Sequence, residues 1–299
     1  MSNYYLAEVA PVIRRVRIPF VRDQWMLLML AVNEILIGVE TYLAHNISGT
    51  IVPGEWVPIV FGPVAGVILL VAGLIALRRR MAANLLGSLV FLASIVVGLL
   101  GSYFHLRRAV LLYAPAGEAI SLPLLVYAPP VLGPITFALI GILGLSAAWP
   151  EEPAGSGRLV LPGGARLQMP LSKTRAYFFL IALGALITVI SSALDHARGG
   201  FVNPWVWVPI IAGVFGTSAL TLLGMIEAPS RADLLTYTAA MLLLVGTGVL
   251  GSTLHIYQDI TSLGVIVGER LIRGAPVMAP MLFANMGAFG LIILLDPGE

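Results

Sequence analysis

Cysteine is absent from the 299 residues. That excludes disulfides, thiolate-ligated metals, iron–sulfur clusters and covalently attached c-type haem. Charge is scarce as well: 11% of residues carry it and the net charge is +2, too small and too scattered for a nucleic-acid partner. Lysine occurs only as Lys173, at the start of an apolar run rather than within one, which argues against a retinal Schiff base. A glycine-rich phosphate loop with its lysine is missing, as is a His-Glu-x-x-His motif, and no nucleophile motif stands out.

What remains is apolar. Hydrophobic residues make up 59% of the chain and the mean hydropathy is +0.96, the balance of an integral membrane protein. The apolar runs are long and unbroken, so they read as helices; a barrel would show short alternating segments. Eight spans are expected, near 25–44, 56–77, 83–105, 125–148, 175–195, 205–226, 234–255 and 275–295. The first 22 residues are basic and broken, unlike a cleavable signal. Residues 1–24 are expected to form a cytoplasmic or interfacial segment, since Ile13, Val16, Ile18 and Phe20 alternate with arginines.

Basic residues set the orientation. With the N-terminus inside, twelve face the cytoplasm: Arg14, Arg15, Arg17, Arg22, Arg78, Arg79, Arg80, Arg158, Arg166, Lys173, Arg175 and Arg231. Five face outward: Arg107, Arg108, Arg198, Arg270 and Arg273. Both termini are thus expected in the cytoplasm, with the chain multi-pass in the cell's inner membrane.

The four histidines expose an internal duplication. His45 precedes Trp56-Val57-Pro58-Ile59 by the same eleven residues that separate His196 from Trp207-Val208-Pro209-Ile210. His105 ends Leu100-Gly101-Ser102-Tyr103-Phe104-His105, and His255 ends Leu250-Gly251-Ser252-Thr253-Leu254-His255. Pro130-Val131-Leu132-Gly133-Pro134 likewise returns as Pro276-Val277-Met278-Ala279-Pro280. The expected organisation is all-α: a four-helix repeat over 25–148, a Gly- and Pro-rich cytoplasmic linker over 149–174, and a second repeat over 175–299. An even number of spans per repeat relates the halves by a pseudo-two-fold axis along the membrane normal.

The histidines end outward-running spans, so all four share one depth near the non-cytoplasmic face. Beneath His105 lie Ser102, Gly101 and Gly98; beneath His255 lie Ser252, Gly251 and Gly248. Each set shares a helix face with its histidine. Such a smooth strip suits a haem b held by the imidazole, and it equally suits close helix packing. His45 with His105, and His196 with His255, are candidate ligand pairs for two haems. Alternatively all four converge on one copper or zinc ion, for which imidazole is a suitable ligand. Tyr42, Glu40, Asp195, Met278 and Met281 lie near enough to join such a shell. Arg107, Arg108 and Arg198 follow the histidines and suit haem propionates or headgroups.

Glu34 falls near mid-span, on one face with Gly38, Thr41 and His45. A carboxyl there is costly and is a candidate for proton passage or a quinone pocket. A hydrogen bond to Asn33 or a neighbouring helix is an equal expectation. The connections Leu106–Pro123 and Ile256–Pro276 are apolar and suit lids over the histidine level.

Three functions remain open on these grounds. One is an electron-transfer subunit of a respiratory or redox complex. Another is a cofactor-free scaffold or assembly subunit among other membrane subunits. The third is a metal-ion or small-solute carrier with a histidine entry site, although the spans carry little charge for ion coupling. The paired bundles are analogous to anchors of respiratory oxidoreductases in general plan alone.

Overall fold

The structure is a computed structural model that describes residues 5–12, 18–47, 49, 51–107, 122–127, 129–261 and 269–298. It is helical throughout, apart from one short hairpin. The helices are α1 (Tyr5–Val9), α2 (Arg22–Ile47), α3 (Trp56–Ala76), α4 (Arg80–His105), α5 (Leu122–Tyr127) and α6 (Leu132–Ala148). After the hairpin come α7 (Lys173–Ala197), α8 (Trp207–Met225), α9 (Arg231–Thr261), α10 (Arg270–Arg273) and α11 (Met281–Ile293). The hairpin pairs β1 (Arg158–Val160) with β2 (Arg166–Gln168), antiparallel, inside the linker.

Six helices are long and apolar enough to cross a membrane: α2, α3, α4, α7, α8 and α9. The segments expected as fourth and eighth spans are shorter, with 17 residues in α6 and 13 in α11. At 1.5 Å per residue the longer covers roughly 26 Å, short of a hydrocarbon core of about 30 Å. Proline accounts for the shortening. It lacks an N–H and disfavours helix at the preceding residue. Pro129 and Pro130 separate α5 from α6, and Pro276 precedes α11, whose first residue follows Pro280.

The outward faces of the long helices carry apolar side chains. Val57, Val60, Val64, Val67, Val71 and Leu74 of α3 are all exposed at helical spacing, a surface suited to lipid and costly in water. Small residues fill the inward faces. In α3, Ala65, Gly62, Gly66 and Ala72 are buried, and a side chain at Gly38 of α2 would strike the ring of Pro63.

Helix α2 packs on α3, α3 on α4, α4 on α6, and α6 returns to α2, closing one four-helix bundle. Helices α7, α8, α9 and α11 close a second bundle in the same order. The bundles meet through α2 on α11 and α6 on α7. At one end lie the linker and the chain's two outer segments: Leu6 N donates to Leu294 O (2.9 Å) and Arg22 N to Asp296 O (2.8 Å). Helix α1 is docked on protein there, with Ala7 buried and Tyr5 against Phe178. Ile13 and Val16, expected in the same interfacial segment, lie outside the described residues. The histidines mark the opposite end.

Candidate functional site

His105 closes α4, and His45 and His196 lie in the last turns of α2 and α7, whereas α9 runs on past His255 to Thr261; each histidine is half-buried. All four direct Nδ1 to a backbone carbonyl. His45 and His196 bond the carbonyl one turn back in their own helices, Thr41 O and Ser192 O, both at 2.8 Å. His105 and His255 reach across to the segments that lead into α6 and α11, bonding Pro130 O and Pro276 O, both at 2.9 Å. A carbonyl accepts only, so Nδ1 is the donor in each of these bonds. The same kind of bond orients imidazoles that ligate metals.

The two pairs differ in one respect. The rings of His45 and His105 meet edge to face, with centroids 6.0 Å apart and planes inclined at 61°. Among the described residues no such ring contact joins His196 and His255, and no cluster of three or more His, Asp or Glu side chains is placed to hold a metal ion. The four imidazoles therefore do not converge on one centre. Glu40 and Asp195 complete no such cluster with them. Tyr42 packs on Trp56, Met281 is exposed, and Asp195 pairs with Arg198 at 3.6 Å.

The glycine strips are occupied by helices. A Cβ at Gly98 would strike the backbone nitrogen of Ala138, and one at Gly248 that of Ala284. At Gly101 and Gly251 it would come within 2.7 Å of the Pro134 and Pro280 side chains. These residues bring α6 onto α4 and α11 onto α9, and a macrocycle cannot share that face. On α9 the grip extends to both sides of the histidine: Ser252 Oγ donates to Val277 O (2.7 Å), and Asp259 Oδ1 accepts from Ala275 N (2.9 Å).

The connections at this end cross between bundles. Helix α5 of the first half contacts α7, and α10 of the second contacts α2 as well as α9. Arg198 secures the first crossing by donating from Nε to Val126 O at 2.7 Å. Arg107 is exposed, while Arg108 and most of the expected first lid lie outside the described residues.

Glu34 is fully buried inside the first bundle. Its Oε1 accepts from the Ser94 hydroxyl of α4, and its Oε2 has no hydrogen-bond partner. Of the two expected partners, Asn33 or a neighbouring helix, it is the neighbouring helix that supplies the bond. Asn33 points the other way and exchanges two amide bonds with Asn285 of α11, at 2.6 and 3.1 Å. The face from Glu34 towards His45 is interrupted at Gly38 by Pro63 and Gly62 of α3, and Thr41 spends its hydroxyl on Ile37 O. In the second bundle, register places Ala185 at the position of Glu34 and Leu244 at that of Ser94.

A second polar cluster, at the linker end, was not anticipated. Lys173 stands at the start of its span as expected, and is nevertheless 1% exposed. Its Nζ donates to Asp23 Oδ2 (2.5 Å) and Trp149 O (2.9 Å). Tyr177 OH donates to Asp23 Oδ1 (3.1 Å), and the Arg22 guanidinium lies over the Tyr177 ring. The signal was available in the register: Arg22 and Lys173 are separated by the same interval as His45 and His196.

No protein-family model matches the chain, and no curated protein or solved structure shows significant similarity to it.

Proposed function

We propose that the chain is the membrane-embedded subunit of an electron-transfer complex, with His45 and His105 as ligands of its redox metal. The observation that carries this is the ring contact between the two imidazoles, each oriented by a carbonyl at Nδ1. Copper suits such a donor set and would supply one-electron chemistry. Haem b suits it less, since the strips expected to seat the ring hold helices instead.

The fold proposed around this pair is a tandem repeat with a pseudo-two-fold axis along the membrane normal. The shared order of helix packing and the twin carbonyl bonds of His105 and His255 support it. In this arrangement α6 and α11, with the segments before them, complete an eight-span plan. The excess of basic residues at the linker end supports a cytoplasmic location for that end and for both termini, in the inner membrane.

A second reading, a cofactor-free assembly subunit, draws on the same bonds: all four imidazoles hold main chain. Metal analysis and a reduced-minus-oxidised spectrum of protein purified from its native membrane separate the two. About one copper per chain, lost in His45→Ala and His105→Ala, is the expected result. Sharp α and Soret bands would establish haem instead. Metal-free, colourless protein in a native complex would overturn the redox assignment in favour of assembly.

A further inference from the structure

The turn between α3 and α4 carries three consecutive arginines, Arg78, Arg79 and Arg80, all exposed. Among the described residues none of the three forms an ion pair with a carboxylate. Beside them lies an open groove of about 440 Å³, lined by Val71, Leu74, Ile75 and Leu77 together with Arg78 and Arg79. The groove is apolar along the helix and basic at its mouth. It sits where a membrane-spanning helix reaches the headgroup level.

The duplication supplies an internal control. The corresponding turn, between α8 and α9, reads Ile226-Glu227-Ala228-Pro229-Ser230-Arg231. There Glu227 approaches Arg175 at 4.0 Å, and Ser230 and Asp233 cap α9 reciprocally, with Ser230 N donating to Asp233 Oδ2 at 2.8 Å. The second turn presents acid where the first presents only base. Membrane topology alone calls for some positive charge on this side. It does not call for three adjacent guanidiniums beside an apolar groove in one half alone.

We propose that this groove is a binding site for one anionic phospholipid. The phosphate lies on Arg78 and Arg79, where guanidinium forks give charge-assisted hydrogen bonds, and an acyl chain lies along Val71, Leu74 and Ile75. The site is independent of the redox assignment, since it uses neither the histidines nor Glu34.

Native mass spectrometry of the full chain in detergent tests it, with phosphatidylglycerol and phosphatidylcholine titrated in parallel. One phosphatidylglycerol is expected to stay bound per chain, with phosphatidylcholine held at least tenfold more weakly, since adjacent basic residues at a lipid surface favour anionic headgroups. Arg78→Gln with Arg79→Gln should abolish the preference. Leu74→Trp, at a side chain 69% exposed, should fill the groove and weaken binding while leaving the charges in place. Arg231→Gln should change nothing. Equal retention of both lipids, retention unchanged in the double arginine variant, or displacement by millimolar glycerol phosphate would each overturn the proposal, the last by showing a soluble phosphate site.

Discussion

Arg22 and Lys173 open the first helix of each half, and each bonds the residue that follows the other. Arg22 donates from Nη1 to Thr174 Oγ1 at 2.6 Å, and Lys173 from Nζ to Asp23 Oδ2 at 2.5 Å. The two halves are thus cross-tied where the linker joins them. Arg22 is 3% and Lys173 1% exposed, so the tie is made out of water, with Asp23 as its shared anion. Its loss should be felt by both bundles together.

Asp23→Ala is expected to be strongly destabilising, by roughly 3 kcal/mol, because it strands a buried ammonium. Adding Lys173→Met should recover much of that loss, since an apolar side chain of similar length needs no partner. Denaturant unfolding in detergent, read as a double-mutant cycle, measures the coupling. If the single and double variants are equally unstable, the ion pair is not the source of the effect.

The bundles also meet at Asn33 and Asn285, whose amides exchange two hydrogen bonds. By register the equivalent crossing pairs Gly184 with Leu139, and there the Leu139 side chain fills the space over the glycine. One crossing is polar and the other apolar at the same place in the plan. Asn285→Ala should cost about 1 kcal/mol, the usual range for interhelical polar contacts in membranes. A cycle with Asn33→Ala should show coupling of the same size. Additive losses would mean that the amides are solvated independently.

Inside the first bundle, Ser94→Ala should destabilise by roughly 1–3 kcal/mol, because it removes the partner of a buried carboxyl oxygen. Glu34→Ala with Ser94→Leu copies the pair Ala185 and Leu244 of the second bundle and should restore stability. If that double variant folds normally but loses electron transfer in the native complex, Glu34 acts in function. If transfer persists, the carboxyl is structural.

The glycines divide by what faces them. Gly248→Ala should prevent the close seating of α11 on α9, since its Cβ would strike the backbone of Ala284. Gly246, two residues away, faces open space, so Gly246→Ala should be neutral or stabilising by up to about 1 kcal/mol through helix propensity. Thermal unfolding of the two variants in one detergent reads the contrast. Equal behaviour would mean that the strip is not packed.

Sequence legibility followed physical scale. The long helices were evident because about twenty apolar residues have few alternatives to a span, and α2, α3, α4, α7 and α8 lie within a few residues of expectation. The fourth and eighth were overlong because hydropathy continues through Pro130 and Pro276 whereas the helix does not. The strips at Gly98 and Gly248 were visible as spacing, but spacing does not say whether a ring or a helix fills them. Glu34 was singled out for its cost, while its partner Ser94 lies 60 residues away, beyond local pattern. Register made His45 equivalent to His196, yet only packing brings His45 to His105 and leaves the second pair without the same ring contact.

That asymmetry yields the sharpest contrast among the histidines. His105 and His255 each hold the main chain before the fourth helix of a bundle, through Pro130 O and Pro276 O at the same 2.9 Å. As structural clamps they are alike, so His105→Ala and His255→Ala should destabilise similarly, by about 1 kcal/mol each for the lost hydrogen bond. As ligands they differ, because among the described residues His105 is in ring contact with a second imidazole and His255 is not. Bound metal should therefore fall in His105→Ala and in His45→Ala but persist in His255→Ala and His196→Ala. Stability and metal content measured on the same four preparations decide the matter. Metal lost equally from all four would require the second pair to be a ligand pair too, and metal absent throughout with equal destabilisation would leave the clamp as the histidines' whole role.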